Sequence, residues 1–302
     1  MHRHHVVTTL RPLLATGMTL GLTLGAHAQP APRLAALGPS LDVLARARGV
    51  ELAVAFRALD GTDEFFLRER EVFHAASTMK VPVMIELFRQ AAEGRLTLDD
   101  QIPVVTEFKS LVDGSPFSLS PADDDETSLY RDVGRQRSAR DLCELMITRS
   151  SNLASNLLID RLGVENIQAT VERLGATGMT VRRKLEDGKA YERGLNNTTD
   201  ARGLLVLMTA IASGSAVSPA ASRDMVEILK RQTYRDGIPA GLAPGTVVAN
   251  KTGGISTVNH DAAIVYGPRP YVLVVLVGGR DEQTRVPLIA EVARLVHARF
   301  TH

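Results

Sequence analysis

The chain has a single cysteine, no tryptophan and few aromatic residues of any kind, 4% of 302 residues. With Cys143 alone no intrachain disulfide can form, so stability has to come from packing. Cys143 lies in the apolar pattern of Leu142, Leu145 and Met146, which reads as a buried, inert thiol rather than a nucleophile. A concentrated basic stripe is also missing. The 35 basic and 34 acidic side chains alternate in sign along helix-like segments, which argues against a nucleic-acid partner. Histidine is scarce beyond residue 28, where only His74, His260, His297 and His302 remain; no two stand at ligand spacing, so a zinc site is not expected.

The first 28 residues carry Arg3 and Arg11, an apolar stretch from Leu13 to Leu24, and then Ala26-His27-Ala28. That order is a secretory signal with cleavage after Ala28. As an uncleaved anchor the apolar run would fall short of the roughly 20 residues that span a bilayer. Cleavage removes two arginines and no acid, which turns the formal charge of +1 to about −1. The expected product is periplasmic or secreted, with no stable membrane insertion after processing. No coiled-coil or extended apolar surface pattern is present, so a monomer is expected.

Residues 34–46 have helical spacing and 50–59 alternate as a half-buried strand. The turn Asp60-Gly61-Thr62-Asp63 leads into a second strand at 64–68. Near the other end, 246–251, 261–266 and 271–277 read as three more strands; the last, Tyr271-Val272-Leu273-Val274-Val275-Leu276-Val277, lacks alternation and should be covered on both faces. An amphipathic helix at 285–300 supplies cover. Between the strand sets, 81–94, 139–149, 153–162, 164–174 and 199–213 are helical in pattern, and the acidic run at 123–126 reads as an exposed loop. The expectation is an α/β (α+β) fold: a five-stranded antiparallel sheet built from both chain ends and flanked by helices, with an inserted all-helical lobe. Residues 29–302 form one domain in this reading, with 29–75 and 215–302 as the α/β lobe and 76–214 as the helical lobe.

Three short motifs carry the candidate chemistry. Ser77-Thr78-Met79-Lys80 opens the first long helix of the insert, and three residues is almost one turn, so Ser77 and Lys80 share a face. A serine hydroxyl becomes a nucleophile when a base takes its proton, which a lysine does only where burial favours the neutral amine. Lys80 is the only lysine with a serine three positions before it. Taken alone, the pair is more often an N-cap serine with a surface lysine one turn later. Ser150-Ser151-Asn152 stands at a junction between two helices, where Ser151 or Asn152 can equally be an N-cap. Lys251-Thr252-Gly253-Gly254 ends an apolar strand.

Each motif occurs once, in this order and in this context, and together they resemble class A β-lactamases and penicillin-binding proteins. The segment from Met146 to Leu158 adds to the likeness, which extends over essentially the whole mature chain. The resemblance implies that Ser77 is the acylated nucleophile, Lys80 its proton acceptor, and Ser150 the group that passes a proton to the lactam nitrogen. It implies that Asn152 holds the substrate's side-chain amide, that Lys251 and Thr252 attract its carboxylate, and that Gly253 and Gly254 also belong to the substrate-binding set. The N–H groups of Ser77 and Gly254 would form the oxyanion hole. The substrate would be a small β-lactam, with no cofactor.

The match departs in the loop that should bring a water-activating glutamate. Glu192 with Leu195 and Asn196 keeps the family's Glu-x-x-Leu-Asn spacing, but the loop after it is shortened. Glu186 follows Arg183 one residue too late. We take Glu192 as the fourth catalytic residue and Glu186 as its alternative. Ser151 stands where the family has aspartate, and no arginine follows Lys251 closely; Ser256, Thr257, Asn259 and His260 could substitute. The leading function is a serine β-lactamase; the alternatives are a related peptidase or esterase, or a penicillin-binding protein that acylates and deacylates poorly.

Overall fold

The computed structural model describes residues 1–2 and 32–301, so the expected signal segment lies almost wholly outside the described residues. Five antiparallel strands form the central sheet, in the order Glu64–Leu67, Glu51–Ala58, Tyr271–Gly278, Val258–Val265, Val248–Ile255. Both chain ends therefore contribute, as the alternation implied. The central strand Tyr271–Gly278 is buried along its whole length and feeds two cores. Val272, Val274 and Leu276 face one; Leu273, Val275 and Val277 face the other. Its unbroken apolar run follows from that double cover.

On one face lie the Leu37–Ala47 helix and the terminal helix Glu282–Thr301, whose Leu288, Val292 and Val296 close the smaller core. On the other face the helices Lys80–Ala92, Ala139–Thr148, Asn152–Leu162, Val164–Arg173 and Ala201–Ala212 bury a much larger set of aliphatic side chains. A helix at Pro219–Lys230 adds to these. Three short strand pairs interrupt what the sequence pattern read as purely helical: Phe73–His74 with Thr198–Thr199, Gln101–Pro103 with Gln136–Ser138, and Glu107–Lys109 with Pro116–Ser118. Two or three residues carry too little periodicity to be seen in advance. Among the described residues no helix is long and apolar enough to cross a membrane.

One boundary matters for function. The edge strand does not end at Lys251 but runs through the Lys-Thr-Gly-Gly motif to Ile255, paired through Gly253↔His260 and Gly254↔Asn259. Its neighbour accordingly starts at Val258, three residues before the expected start. Glycines suggest a turn; here they let another backbone approach the strand.

Arg285 braces this end of the sheet from the terminal helix. It is fully buried and donates to Asn259 Oδ1 at 2.7 Å, Gly279 O at 2.5 Å and Ile255 O at 3.2 Å. Arg285→Met would leave those acceptors dry, and urea unfolding should show a loss of about 3 kcal/mol.

Candidate active site

Ser77 sits in the tight turn Ala76–Met79 that runs directly into the Lys80–Ala92 helix. Strand residues Phe73 and His74 lead into it, and Ala75 N–H donates to Asn197 O at 2.9 Å. Ala76 is then forced into the left-handed region, φ +45°. Its N–H donates to His74 Nδ1 at 3.0 Å, which assigns the ring proton to Nε2. Burial and the nearby Arg183 guanidinium pull His74 down to about 4, so it is neutral near pH 7. Against this turn lies Gly253: a Cβ there would stand 3.0 Å from both Ser77 N and Thr78 N. The edge strand and the helix start are thus packed backbone to backbone.

Lys80 is fully buried and donates to Ser150 O at 2.5 Å, Asn152 Oδ1 at 2.8 Å and Ser150 Oγ at 3.3 Å. All three bonds go to the second motif, not to Ser77. Desolvation pulls Lys80 down to about 7, opposed by Asp124, Asp125 and Glu186. Lys251, also fully buried, donates to Ser150 Oγ at 3.0 Å and Thr252 O at 2.8 Å. Burial first, then the Lys80 charge, holds it well below the usual lysine range. Ser150 itself has φ +58°. The three motifs, dispersed along the chain, therefore converge on one hydroxyl.

Two cavities, of about 330 and 440 Å³, share Ser77, Gly254, Ile255 and Ser256 and form the two ends of one cleft. Asn152 lines the first; Ser150, Thr252, Gly253 and His260 line the second. His260 Nε2 bonds His74 O at 2.9 Å, which makes it a brace for the nucleophile turn.

The loop between Arg183 and Asn197 is clamped at both ends. Asn197 Oδ1 accepts from the N–H groups of Arg182 and Arg183, and its Nδ2 donates to Arg183 O at 3.0 Å. Asn156 grips Leu185 both ways, at 2.8 and 2.9 Å, while Asp187 accepts from Ser110 Oγ and Leu111 N, each at 2.8 Å. Between these clamps Glu186 takes φ +62° and its carboxylate accepts from Asn152 Nδ2 at 3.2 Å. The residue as a whole remains exposed, but its carboxylate end is crowded against the cleft wall. That crowding, with Asp123 alongside, raises its pKa, against the pull of Arg183 and Lys80.

Glu192 is not brought to the site. It is exposed at the end of the short Gly188–Glu192 helix and lines neither end of the cleft. The Glu-x-x-Leu-Asn spacing that favoured it serves another purpose here: Asn196 Oδ1 accepts from the Arg183 guanidinium at 3.0 Å. In the shortened loop Asp187 caps that helix, whose Gly188 and Tyr191 line the cleft while Glu192 does not, so Glu186 is the carboxylate the geometry offers.

Asp124 also departs from expectation. The acidic run is not simply a solvated loop, because Asp124 Oδ2 accepts from Leu153 N at 2.8 Å and Ser151 Oγ at 3.1 Å, while Asp123 O accepts from Asn152 Nδ2 at 2.9 Å. Ser151 meanwhile caps the helix through Ala154 N. The one hint in the sequence was the serine in the motif's aspartate position.

A family model described as the β-lactamase enzyme family matches residues 37–300. A β-lactamase of Streptomyces fradiae is 28% identical over 97% of this chain and 99% of its own. Among solved structures, PBP-A is similar at TM-score 0.77 and 29% identity, covering 90% of this chain and 98% of that one; a mutant of it was solved as an acyl-enzyme complex with penicillin G. A mutant of the last common ancestor of Gram-negative bacteria class A β-lactamase is similar at TM-score 0.76 and 28% identity, covering 88% and 99%.

Gly253→Ala should push the edge strand off the Ser77 turn without unfolding the sheet. Labelling of Ser77 by a fluorescent penicillin should slow on the order of a hundredfold, as when an oxyanion donor is displaced, while circular dichroism stays unchanged.

Proposed function

The chain belongs to the β-lactamase enzyme family, and on that footing we propose that it hydrolyses β-lactams through an acyl-enzyme on Ser77. The observation that carries this reading is the meeting of Lys80 and Lys251 on Ser150 Oγ beside Ser77. Ser77 Oγ adds to the lactam carbonyl as its proton passes to the neutral amine of Lys80. The N–H groups of Ser77 and Gly254 receive the developing oxyanion, in a cleft where Gly253 lets the two backbones meet. The C–N bond then breaks, and the nitrogen takes a proton from Ser150 Oγ, which is replenished by the lysine amines. Asn152 receives the substrate's amide side chain; Lys251 and Thr252 receive its carboxylate. In the second half Glu186, its pKa raised by burial, takes a proton from water as the oxygen adds to the acyl carbon; Ser77 leaves with its proton restored. Side chains and water handle every proton, so the reading calls for no cofactor.

A second reading, acylation with slow release, is favoured by one observation. Glu186, the glutamate that lines the cleft, is already engaged by Asn152 Nδ2. The likeness to PBP-A, one of whose mutants was captured as a penicillin G acyl-enzyme, points the same way. We place the mature chain, from residue 29, outside the cytoplasm as a monomer; N-terminal sequencing of exported protein and light scattering test both points.

Intact-mass spectrometry with benzylpenicillin, read at seconds and at an hour, separates the two readings. A β-lactamase shows a transient adduct and released penicilloate; slow release leaves the adduct in place. Ser77→Ala should show none. Glu186→Gln should prolong the adduct at least a hundredfold, and Glu192→Gln should behave as the parent. Because Lys80 must be neutral to accept a proton and titrates at about 7, acylation should rise with pH through a midpoint near that value.

A further inference from the structure

We propose that Asp124 is the positioning carboxylate of the site: from outside all three motifs it holds in place the Ser150–Asn152 junction, and with it the acceptors that Lys80 uses. The proposal rests on the reading of Lys80 as the acylation base. Asp124 lies in the acidic loop, 27 residues before Ser151 and 29 before Leu153 in sequence, and accepts from both with one oxygen. Its other oxygen accepts from Glu126 N at 3.2 Å, which fixes the carboxylate from behind. The adjoining Asp123 O takes Asn152 Nδ2. The two residues on either side of the Asp124 contact to Ser151, Ser150 and Asn152, supply every acceptor that Lys80 uses. A carboxylate at the first turn of the Asn152–Leu162 helix also suits the positive end of that helix.

The charges that face Lys80 are Lys251 on the edge strand, Asp124 and Asp125 on the acidic loop, and Glu186 on the clamped loop. Of the three carboxylates Asp124 exerts the largest pull toward the ammonium form. Without its charge the ammonium loses support, so Lys80 gives up its proton at lower pH and the rise of acylation moves down in pH.

Asp124→Asn keeps one neutral acceptor for the Leu153 N–H and removes the charge together with the Glu126 N–H bond; Ser151→Ala removes the hydroxyl bond and keeps the charge. Acylation by benzylpenicillin is measured by stopped flow from pH 5 to 9, with melting temperatures as a check on folding. The expected result is a midpoint about one pH unit lower in Asp124→Asn and unmoved in Ser151→Ala. A uniform slowing of Asp124→Asn at every pH, or no change at all, would overturn the proposal. If Lys80→Ala acylates as fast as the parent, the assignment of Lys80 as the base fails instead, which the Asp124 data alone cannot mimic.

Discussion

Lys80 and Lys251, both inaccessible to solvent, point their amines at the same Ser150 oxygen from 3.3 and 3.0 Å, and few arrangements in a folded chain are harder to keep. Two ammonium groups so close would repel, and each has already lost its water shell. The cleft meets this in two ways. Burial lowers the proton affinity of both lysines, that of Lys80 to about 7, which eases their mutual repulsion. Carboxylates at a distance, Asp124, Asp125 and Glu186 toward Lys80 and Asp261 toward Lys251, limit how far that lowering goes. The acidic loop, the clamped loop and the sheet are therefore electrostatic partners of one hydroxyl.

Backbone strain gathers at the same place. Of the four described non-glycine residues with left-handed backbones, Ala76, Ser150 and Glu186 lie at the cleft. Each costs on the order of 1 kcal/mol or more and survives only because its neighbours are fixed. Ala76 is held by His74 Nδ1, and His260 in turn holds His74; Ser150 is held by Lys80 on its carbonyl; Glu186 hangs between the Asn156 and Asp187 clamps. The result aims Ser77, Ser150 and Glu186 inward from three separate segments. Such pre-setting is what a reaction needs when its groups must act within a few tenths of an ångström.

The five strands were legible because sheet burial writes a period into the residues, and Tyr271 to Val277 announced double cover by having no period at all. The three motifs were legible because their spacing is local: Ser77 and Lys80 share one turn. What could not be read was set by partners distant in sequence. Asn196 satisfies the spacing that recommended Glu192, yet it does so to hold Arg183. Asp124 looked like one more solvated acid, since nothing nearby in sequence tells that Ser151 and Leu153 will meet it. The strand through Gly253 and Gly254 was cut short for a related reason: glycine permits a turn and a close backbone approach alike, and only the packing of the Ser77 turn decides between them.

That division bears on how the two halves of the proposed reaction could diverge. Lys80, Ser150 and Lys251 stand on a helix, at a junction between helices and on a sheet strand, buried and bonded to one another, where a single residue cannot slip without breaking several contacts. The carboxylate proposed for release stands on a loop whose register is set at Leu185, held by Asn156, and two positions on at Asp187, held by Ser110 and Leu111. Consecutive Cα atoms are about 3.8 Å apart, so sliding this loop by one position would exchange Leu185 for Glu186 at the Asn156 clamp. Retention or loss of the acyl group can then turn on loop register alone, with the acylation machinery unaltered.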